Sequence, residues 1–464
     1  MTSPDVIVIG AGFAGLSAAT ALAERGVRVS VVDARPTLGG RATSHRDPVT
    51  GETVDNGQHI FMGCYREAFA FLRRIGTESL VPLQPGLEVS IVDTAGVSST
   101  LTCPALPSPW HLLGGVMEWE ALGWRDRLSV VGIGPAIRAA QRQLRGKTTL
   151  MAPSPDETAE NWLIRHRQSA RIREVLWNPL VLAAMNQPAS EAGATAFARV
   201  LADVVGSDPR DAAIGLAVRP LTDVYVNPAR LYIETRGGSV VPGALARITI
   251  EGGIAAGVTL RRGGTLRAGA VISTVPWHAL SSLFEHVPAS LAAVAGRAAL
   301  MKGYPIVTVN LWLDRRVLDQ RFVGLPGREM QWVFDKRAIF HGAASHVSMV
   351  ASGAAHLVAL SNQRLIDQAL AELRAALPPA RVAVLRHATV VRERNSTFSV
   401  APGEPLRPSC ATPLPGFFLA GDWTDTTLPG TIESAALSGH RAAELIFGGH
   451  DSRSENPEFC LPQQ

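Results

Sequence analysis

The sequence predicts an α/β fold in which a domain built on a parallel sheet is interrupted by an inserted α+β domain. Three observations support this prediction. The chain opens on a strand, a glycine turn, a helix and a second strand. Its middle is mainly helical, and short β runs follow before a last strand and helix. At 464 residues, the chain is also longer than one hydrophobic core usually supports.

The first forty residues carry the clearest pattern. "DVIVIG" at 5–10 is a β-branched run of the kind that is buried in parallel sheets. Helix formers fill 12–26 and end at Gly26, which suits a C-cap. "VRVSVVDA" at 27–34 is the second strand. This order predicts a βαβ unit.

The middle of the chain has a different character. Trp110, Trp119 and Trp124 fall among apolar, helix-like stretches of the region 76–220, which predicts a mainly helical insertion. From 230 to 276, glycine pairs separate short β runs, and this pattern predicts hairpins.

The last third mixes strands with helices. "QRLIDQALAELRAAL" at 363–377 predicts a helix, "GFFLAGD" at 416–422 a buried strand, and the run 430–447 another helix. The tail 451–464 is polar and contains proline, so we expect it to be loose.

Composition excludes several classes of protein. The net charge is only +4 and no run of basic residues occurs, which argues against nucleic-acid binding. The four cysteines, Cys64, Cys103, Cys410 and Cys460, form no CxxC pair, so reduced thiols in the cytoplasm are expected. The start lacks the basic region of a signal peptide. The longest uncharged run, 338–363, is too polar for a membrane span.

The glycine turn has the spacing GxGxxG. Gly10 permits a tight turn, Gly12 lets the backbone approach a pyrophosphate, and Gly15 lets helix and strand pack closely. Asp33 ends the second strand, where a carboxylate accepts hydrogen bonds from both ribose hydroxyls and repels a 2′-phosphate. These residues predict a Rossmann-like dinucleotide site, for NAD or FAD but not for NADP.

A second motif separates NAD from FAD. After Asp33 comes "ARPTLGGRA", in which Gly39 and Gly40 offer bare backbone and Arg41 a guanidinium for the phosphates. The pattern resembles that of the FAD-dependent amine oxidase and carotenoid desaturase superfamily. The resemblance implies a GR2-type FAD-binding domain.

The C-terminal part matches the same superfamily. "FFLAGDWTDTTLPGTIESAALSGHRAAE" places Gly421 and Asp422 at a strand end, where Asp422 suits a ribityl or pyrophosphate contact. Gly430 and Thr431 open a helix whose N–H groups would point at the flavin pyrimidine edge. "AGAVISTVP" at 268–276 resembles the strand that re-enters the flavin domain. Three matches in the right order favour FAD.

The stretch "VDNGQHIFMGCY" at 54–65 points to one family within this superfamily. Together with "WNPLVLAAMNQP" at 177–188, it resembles the squalene-associated FAD-dependent desaturases, some of which act as hydroxysqualene dehydroxylases in bacterial hopanoid pathways. The resemblance places Gly57, Gln58 and His59 against the flavin or its substrate.

The same resemblance implies an adenine contact at Ile248. The region after Arg236 is short for the superfamily, and this weakens the assignment of Ile248.

The implied domain organisation is discontinuous. Residues 1–75, 221–285 and 405–450 form the FAD-binding domain. Residues 76–220 and 286–404 form the substrate domain with its helical insertion.

The implied reaction is the reductive removal of an allylic hydroxyl from a long isoprenoid. The leaving hydroxyl needs a proton, and His59 and Asp55 are the candidate donors by position. Because the chain has no second GxGxxG after a strand, electrons would come from NADPH docking at the flavin or from a donor protein. The substrate would come from the bilayer. We therefore expect a bacterial cytoplasmic protein, peripheral on the inner face of the cell membrane, with the tryptophan-bearing insertion as tunnel wall or membrane surface.

Three alternatives stay open at this point. A carotenoid-precursor desaturase would use the same flavin with reversed electron flow. A prenyl-lipid carrier on the same fold would not need the GGR and C-terminal motifs. An amine oxidase is disfavoured, because four tyrosines leave few aromatic rings to flank a flavin.

Overall fold

The structure is a computed structural model, and it describes residues 4–144, 153–342 and 345–451. In these ranges the strands are β1 (Val6–Ile9), β2 (Val29–Val32), β3 (Ser44–Arg46), β4 (Thr53–Asp55), β5 (Ile60–Met62), β6 (Glu88–Val92), β7 (Ser98–Thr102), β8 (Ile214–Leu216), β9 (Ser239–Val241), β10 (Ala246–Glu251), β11 (Ile254–Leu260), β12 (Gly264–Arg267), β13 (Ala270–Ser273), β14 (Gly303–Leu313), β15 (Phe322–Gly324), β16 (Trp332–Asp335), β17 (Ser345–Ala351), β18 (Leu385–Phe398) and β19 (Phe417–Leu419).

The helices of the same ranges are α1 (Phe13–Glu24), α2 (Arg66–Arg74), α3 (Trp110–Glu118), α4 (Trp124–Ser129), α5 (Gly134–Leu144), α6 (Ala159–Arg165), α7 (Ala170–Ile172), α8 (Asn178–Met185), α9 (Ala194–Val204), α10 (Asn227–Glu234), α11 (Ala292–Leu300), α12 (Lys336–Phe340), α13 (Asn362–Ala376) and α14 (Ile432–Asp451). Short 3₁₀ and π turns connect several of them. The predicted loose tail lies outside the described residues from 452 on, and α14 itself ends at Asp451.

A five-stranded parallel sheet with the strand order β19-β13-β1-β2-β9 forms the first layer. Its inner strands β1, β2 and β13 are buried along their whole length, as predicted for β-branched runs covered on both faces. The βαβ opening is confirmed, with strands and helix slightly shorter than the patterns. All five strands come from the segments predicted for the cofactor domain.

Helix α1 of the cofactor domain packs against helix α14 at very short range. A Cβ added at Gly439 of α14 would lie 2.2 Å from the carbonyl oxygen of Ala14 in α1. The Ser17 hydroxyl also donates to the carbonyl oxygen of Ala436 across the same contact, at 3.1 Å. This contact brings the C-terminal motif beside the N-terminal glycine loop.

A seven-stranded sheet with the order β18-β14-β17-β16-β15-β6-β7 forms the second layer, and α13 packs on it. Its pairs are antiparallel except for β15 with β6. The strands β6 and β7 differ from the mainly helical prediction for 76–220. They continue a sheet whose other strands lie more than 200 residues further along the chain, and local patterning does not show such a pairing.

Helices α3 to α9 form the predicted helical insertion, with its own core around Trp162, Trp177 and Phe197. The predicted hairpins are also present as the sheet β10-β11-β12, whose turns hold the glycine pairs Gly252–Gly253 and Gly263–Gly264 at positive φ. None of the described helices is long and apolar enough to cross a membrane. Over the described residues, Cys64, Cys103 and Cys410 are free thiols.

Candidate functional site

The glycine loop between β1 and α1 has the geometry that its spacing predicts. Gly10 has a φ of +108°, and a Cβ at Gly15 would lie 1.9 Å from the carbonyl oxygen of Gly10. Gly12 faces the GGR turn, since a Cβ at Gly40 would approach the Cα of Gly12 to 3.3 Å. The backbone N–H of Gly39 donates to the carbonyl oxygen of Ala11 at 2.9 Å. The two glycine turns therefore form one cradle of bare backbone.

Asp33 lies at the end of β2 with its carboxylate tied to the backbone. The N–H of Ala11 donates to Oδ2 at 2.7 Å, and the N–H of Arg35 donates to Oδ1 at 2.8 Å. A carboxylate has about four acceptor positions, so these bonds fix its orientation and leave capacity for two more donors. Asp33 lines the cavity described below, and this arrangement fits two ribose hydroxyls.

Arg41 and Asp422 meet although they are 381 residues apart. The guanidinium of Arg41 donates to both carboxylate oxygens of Asp422, one of them at 3.1 Å, and to the carbonyl oxygen of Ser396 at 2.7 Å. Asp422 is buried and Arg41 is half-buried, and both line the cavity. The GGR motif and the C-terminal motif thus share one site.

The C-terminal motif provides a second turn and a helix start. Gly421 has a φ of +136°, and its N–H donates to the Ser438 hydroxyl at 2.8 Å. Thr431 precedes α14, and its hydroxyl accepts from the N–H of Ser434 at 3.1 Å, as an N-cap does. A Cβ at Gly430 would lie 3.2 Å from Oδ2 of Asp422. The backbone of Gly430 therefore lies directly beside the Asp422 carboxylate.

All these groups surround a single cavity of about 1730 Å³. This volume exceeds the roughly 300–1000 Å³ of ordinary small-molecule pockets, so a dinucleotide leaves room for a second large ligand. The predicted site residues that line the cavity are Gly10, Gly12, Asp33, Gly39, Gly40, Arg41, Gly57, Gln58, His59, Gly421, Asp422, Gly430 and Thr431. The described residues thus fit FAD as the predicted cofactor.

Besides Gly15, which lies behind the glycine loop, two predicted site residues do not line the cavity. Asp55 is buried behind the cavity wall, where it accepts from the Ser44 hydroxyl at 2.7 Å, the Leu221 N–H at 3.1 Å and Lys336 Nζ at 3.2 Å. Because Asp55 does not line the cavity, it does not reach a ligand there directly.

Ile248 is the other. It packs on an apolar cluster, while Ala244, Leu245 and Ala246 line the cavity. Within β10 only its first residue, Ala246, lines the cavity. Ile248 lies two residues further along the strand, about 6.5 Å from Ala246, and does not reach the cavity. Gly15 lies behind the glycine loop, where it packs closely against Gly10 as its spacing predicts.

His59 faces the cavity in a neutral form. Burial lowers the pKa of its ring to about 4; the charges of Lys336 and Arg41 act in the same direction, and Asp55 opposes them only in part. At neutral pH the ring therefore carries one N–H and one acceptor nitrogen. At neutral pH His59 is therefore not a positively charged imidazolium, and this limits its predicted role as an acid.

Two further residues of the site have contacts that the sequence pattern does not show. The buried Tyr225 hydroxyl lies 2.7 Å from the carbonyl oxygens of both Gly39 and Ala42, and so it holds the GGR turn. Glu433 accepts from the N–H groups of Glu67 and Ala68 at the start of α2, and burial raises the pKa of its carboxyl to about 7. Both depend on partners that are distant in sequence.

The part of the cavity lined by the helical insertion is mainly apolar, although Arg138, Glu160, Glu174, Arg199 and Asp203 also lie in its lining. Trp119 is buried in its wall, whereas Trp110, also in the wall, is 60% exposed at the surface. The other apolar residues of this part come from β6, β7, α3, α5, α8 and the turns beside them, and include Leu87, Val89, Ile91, Leu101, Leu112, Leu113, Val116, Val130, Val131, Ile133, Ile137, Trp177 and Leu180. The insertion therefore forms a tunnel wall that reaches the surface.

Sequence comparison agrees with this geometry. A family model described as flavin containing amine oxidoreductase matches residues 13–447. The hydroxysqualene dehydroxylase of Rhodopseudomonas palustris is 29% identical, over 96% of this chain and 99% of the relative. That of Zymomonas mobilis is 26% identical, over 95% and 98%. The 15-cis-phytoene desaturase of Synechococcus elongatus is 23% identical, over 96% of each chain.

Solved structures support the fold. An oxidoreductase from Methanosarcina mazei superposes with a TM-score of 0.73 at 16% identity, over 95% of this chain and 99% of the other. Cyclohexylamine oxidase from Brevibacterium oxydans superposes with a TM-score of 0.70 at 17% identity, over 97% and 100%. The predicted α/β fold and the FAD prediction are confirmed. This chain belongs to the flavin containing amine oxidoreductase family, and it is an FAD-dependent oxidoreductase.

Proposed function

We propose that this enzyme removes the allylic hydroxyl of hydroxysqualene and forms squalene, as a step of bacterial hopanoid synthesis. One observation carries the proposal: a single large cavity is lined both by the FAD cradle and by many apolar side chains of the helical insertion. Apart from its one hydroxyl, a C30 isoprenoid alcohol is apolar along its length and needs a mainly apolar cavity of this size. The hydroxysqualene dehydroxylases that align over nearly the whole chain support the same assignment.

The reaction replaces a C–O bond by a C–H bond. The carbon gains a hydride, the hydroxyl gains a proton, and water leaves. FAD, when bound and reduced, supplies the hydride. The chain's own task is to hold the allylic carbon in place and to keep bulk water out, which the apolar wall does.

His59 is the predicted proton donor that faces the cavity, and Asp55 influences it only through its charge. Because the ring is neutral at pH 7, each turnover would draw its proton from solvent through His59. A His59→Ala variant should keep FAD and lose most turnover. Full turnover with bound FAD would exclude this role.

The direct test is anaerobic. The reduced holoenzyme is mixed with hydroxysqualene while flavin absorbance and hydrocarbon products are followed. Reoxidation of the flavin with formation of squalene, in equal amounts, supports the proposal. Squalene that forms without reoxidation, or reoxidation without squalene, contradicts it.

The second candidate function is oxidative desaturation of a carotenoid precursor. It is favoured by the phytoene desaturases that align over 96% of this chain. Oxidised holoenzyme mixed with phytoene separates the two, since only a desaturase would reduce its flavin and add a double bond. The weaker carrier alternative does not account for the complete FAD cradle.

The source of electrons belongs to the proposal as well. Either NADPH reduces the flavin directly, or a donor protein does. Rapid mixing of the oxidised holoenzyme with NADPH distinguishes them, because direct donation bleaches the flavin within the turnover time.

We also propose that the enzyme sits on the inner face of the cell membrane. Between α3 and α5, Trp110, Met117, Trp124, Leu128 and Val131 are exposed, beside the apolar end of the tunnel. An apolar substrate would pass from the bilayer into the cavity at this surface without crossing water.

Among the described residues of this surface, the charge is nearly balanced. Arg125, Arg138 and Arg142 are exposed, against exposed Glu118 and Glu120. Attachment would therefore rest mainly on apolar burial and depend little on anionic lipid.

A further inference from the structure

Lys336 is a buried cation directly behind the wall of the cavity. It begins α12, and its side chain is 3% exposed. Its ammonium donates to Oε1 of Gln58 at 2.7 Å and to Oδ2 of Asp55 at 3.2 Å, and it lies 4.4 Å from the centre of the Phe340 ring. Lys336 does not line the cavity, but Gln58 does. The cation therefore acts on a ligand through Gln58.

This contact determines which way the Gln58 amide points. An ammonium group has donors only, so the amide atom that faces Lys336 must be the carbonyl oxygen. The amide nitrogen is then turned away from Lys336, and one of its hydrogens is donated to the carbonyl oxygen of His59 at 3.2 Å. The second hydrogen has no acceptor among the described residues, and since Gln58 lines the cavity, a ligand there can accept it. Gln58 thus presents a donor, and Lys336 prevents the flipped amide that would present an acceptor.

We propose that Lys336 is a positioning residue that makes Gln58 a hydrogen-bond donor to the oxygen of a polyisoprenoid alcohol. The site would then prefer the alcohol to the hydrocarbon of the same length. This inference rests on the proposed function and deepens it. A hydrocarbon would leave the Gln58 N–H unpaired in an apolar cavity, and sites of this kind reject analogues that lack the bonding oxygen. We expect roughly a ten-fold preference in Kd from one such bond.

The test measures binding without turnover. The oxidised holoenzyme, with no reductant, is titrated with hydroxysqualene and with squalene, and tryptophan fluorescence reports both Kd values. The double variant Lys336→Met with Asp55→Asn removes both buried charges together, so neither remains without its partner. It should lose the preference for the alcohol, with the squalene Kd and the FAD content unchanged.

Two further variants separate positioning from general damage. Lys336→Arg keeps a donor-only cation and should retain the preference. Gln58→Glu keeps an oxygen towards Lys336 but has no N–H, and it should lose the preference even if the double variant does not fold.

An unchanged alcohol preference in the double variant, or in Gln58→Glu, would overturn the inference. The inference would also be overturned if either variant bound FAD more weakly while its preference for the alcohol stayed the same, because Gln58 would then contact the cofactor and not the substrate. Failure of the proposed function is seen separately, as absence of squalene from the wild-type reaction. If the wild-type enzyme formed no squalene but still bound the alcohol more tightly than the hydrocarbon, and lost this preference in the double variant, the inference about Lys336 would still be supported.

Discussion

At the scale of single residues, buried titratable groups decide the chemistry that the cavity permits. His59 is kept neutral by burial, while Glu433 holds its proton up to nearly neutral pH for the same reason. Burial penalises the charged form in both cases, which lowers the pKa of a base and raises that of an acid. Hydrogen bonds from the N–H groups of Glu67 and Ala68 oppose the shift at Glu433 without cancelling it.

Glu433 should make folding stability depend on pH. Its folded pKa of about 7 lies above the ordinary 4.5, so the stabilisation that it contributes is complete below pH 4.5 and is lost as pH rises through 7. Glu433→Gln removes this titration. Relative to wild type, the variant should gain roughly 3 kcal/mol of unfolding free energy between pH 4.5 and 8.

Denaturant unfolding of the FAD-free protein at a series of pH values measures this gain. The exposed Glu444, on the same helix, provides the matched control as Glu444→Gln. A constant difference between Glu433→Gln and wild type across the range would show that Glu433 titrates normally.

At the scale of elements, the contact between α1 and α14 joins the two ends of the chain. Gly439 lies against the backbone of Ala14, one turn after the glycine loop, and Thr431 starts the same helix α14 beside the cavity. The relative position of the glycine loop and the C-terminal motif therefore depends on two helices that touch backbone to backbone.

Gly439→Ala should separate these helices. Its Cβ would lie 2.2 Å from a backbone oxygen, which cannot move away as a side chain can. We expect a loss of about 2 kcal/mol or more in unfolding free energy, together with weaker FAD binding. Gly296→Ala is the control, because a Cβ there meets nothing within 4 Å and alanine favours the helix. If both variants kept wild-type stability and FAD affinity, the close contact would not matter.

At the scale of the whole molecule, motifs with their own local chemistry were predictable and long-range partners were not. Gly12, Arg41 and Asp422 could be assigned to one site because each motif has a spacing that suits a phosphate or a ribose. Lys336 could not, because its partner Gln58 is 278 residues away and nothing near Lys336 in the sequence marks it.

The errors have the same origin. Asp55 stands four residues before His59 and was predicted to share its role, but the Ser44 hydroxyl, the Leu221 N–H and Lys336 occupy it behind the wall. The sequence shows which residues are neighbours along the chain, but only the structure shows which of them face the cavity.

The arrangement of the entire chain also predicts how substrate arrives. The cavity that holds the FAD cradle is also lined by Trp110 and Val131, which are exposed at the surface together with Trp124 and Leu128 of the same segment. Purified enzyme should bind vesicles of neutral phosphatidylcholine in flotation experiments. The double variant Trp110→Ser with Trp124→Ser should bind them at least ten-fold more weakly, since each exposed indole contributes apolar area that is buried on insertion.

Because apolar burial dominates the expected contact, wild-type binding should persist at 0.5 M salt, where charge attraction is screened within a few ångströms. The exposed apolar residues Val382 and Val384 lie outside the insertion, and Val382→Ser with Val384→Ser is the matched control that should bind vesicles as wild type does. The tryptophan variant should keep its FAD, and it should lose far more turnover of substrate held in vesicles than of hydroxysqualene presented in detergent, where only the contribution of Trp110 to the cavity wall is missing. Equal vesicle binding by all three proteins would place the membrane contact elsewhere, and binding that disappears with salt would make it electrostatic.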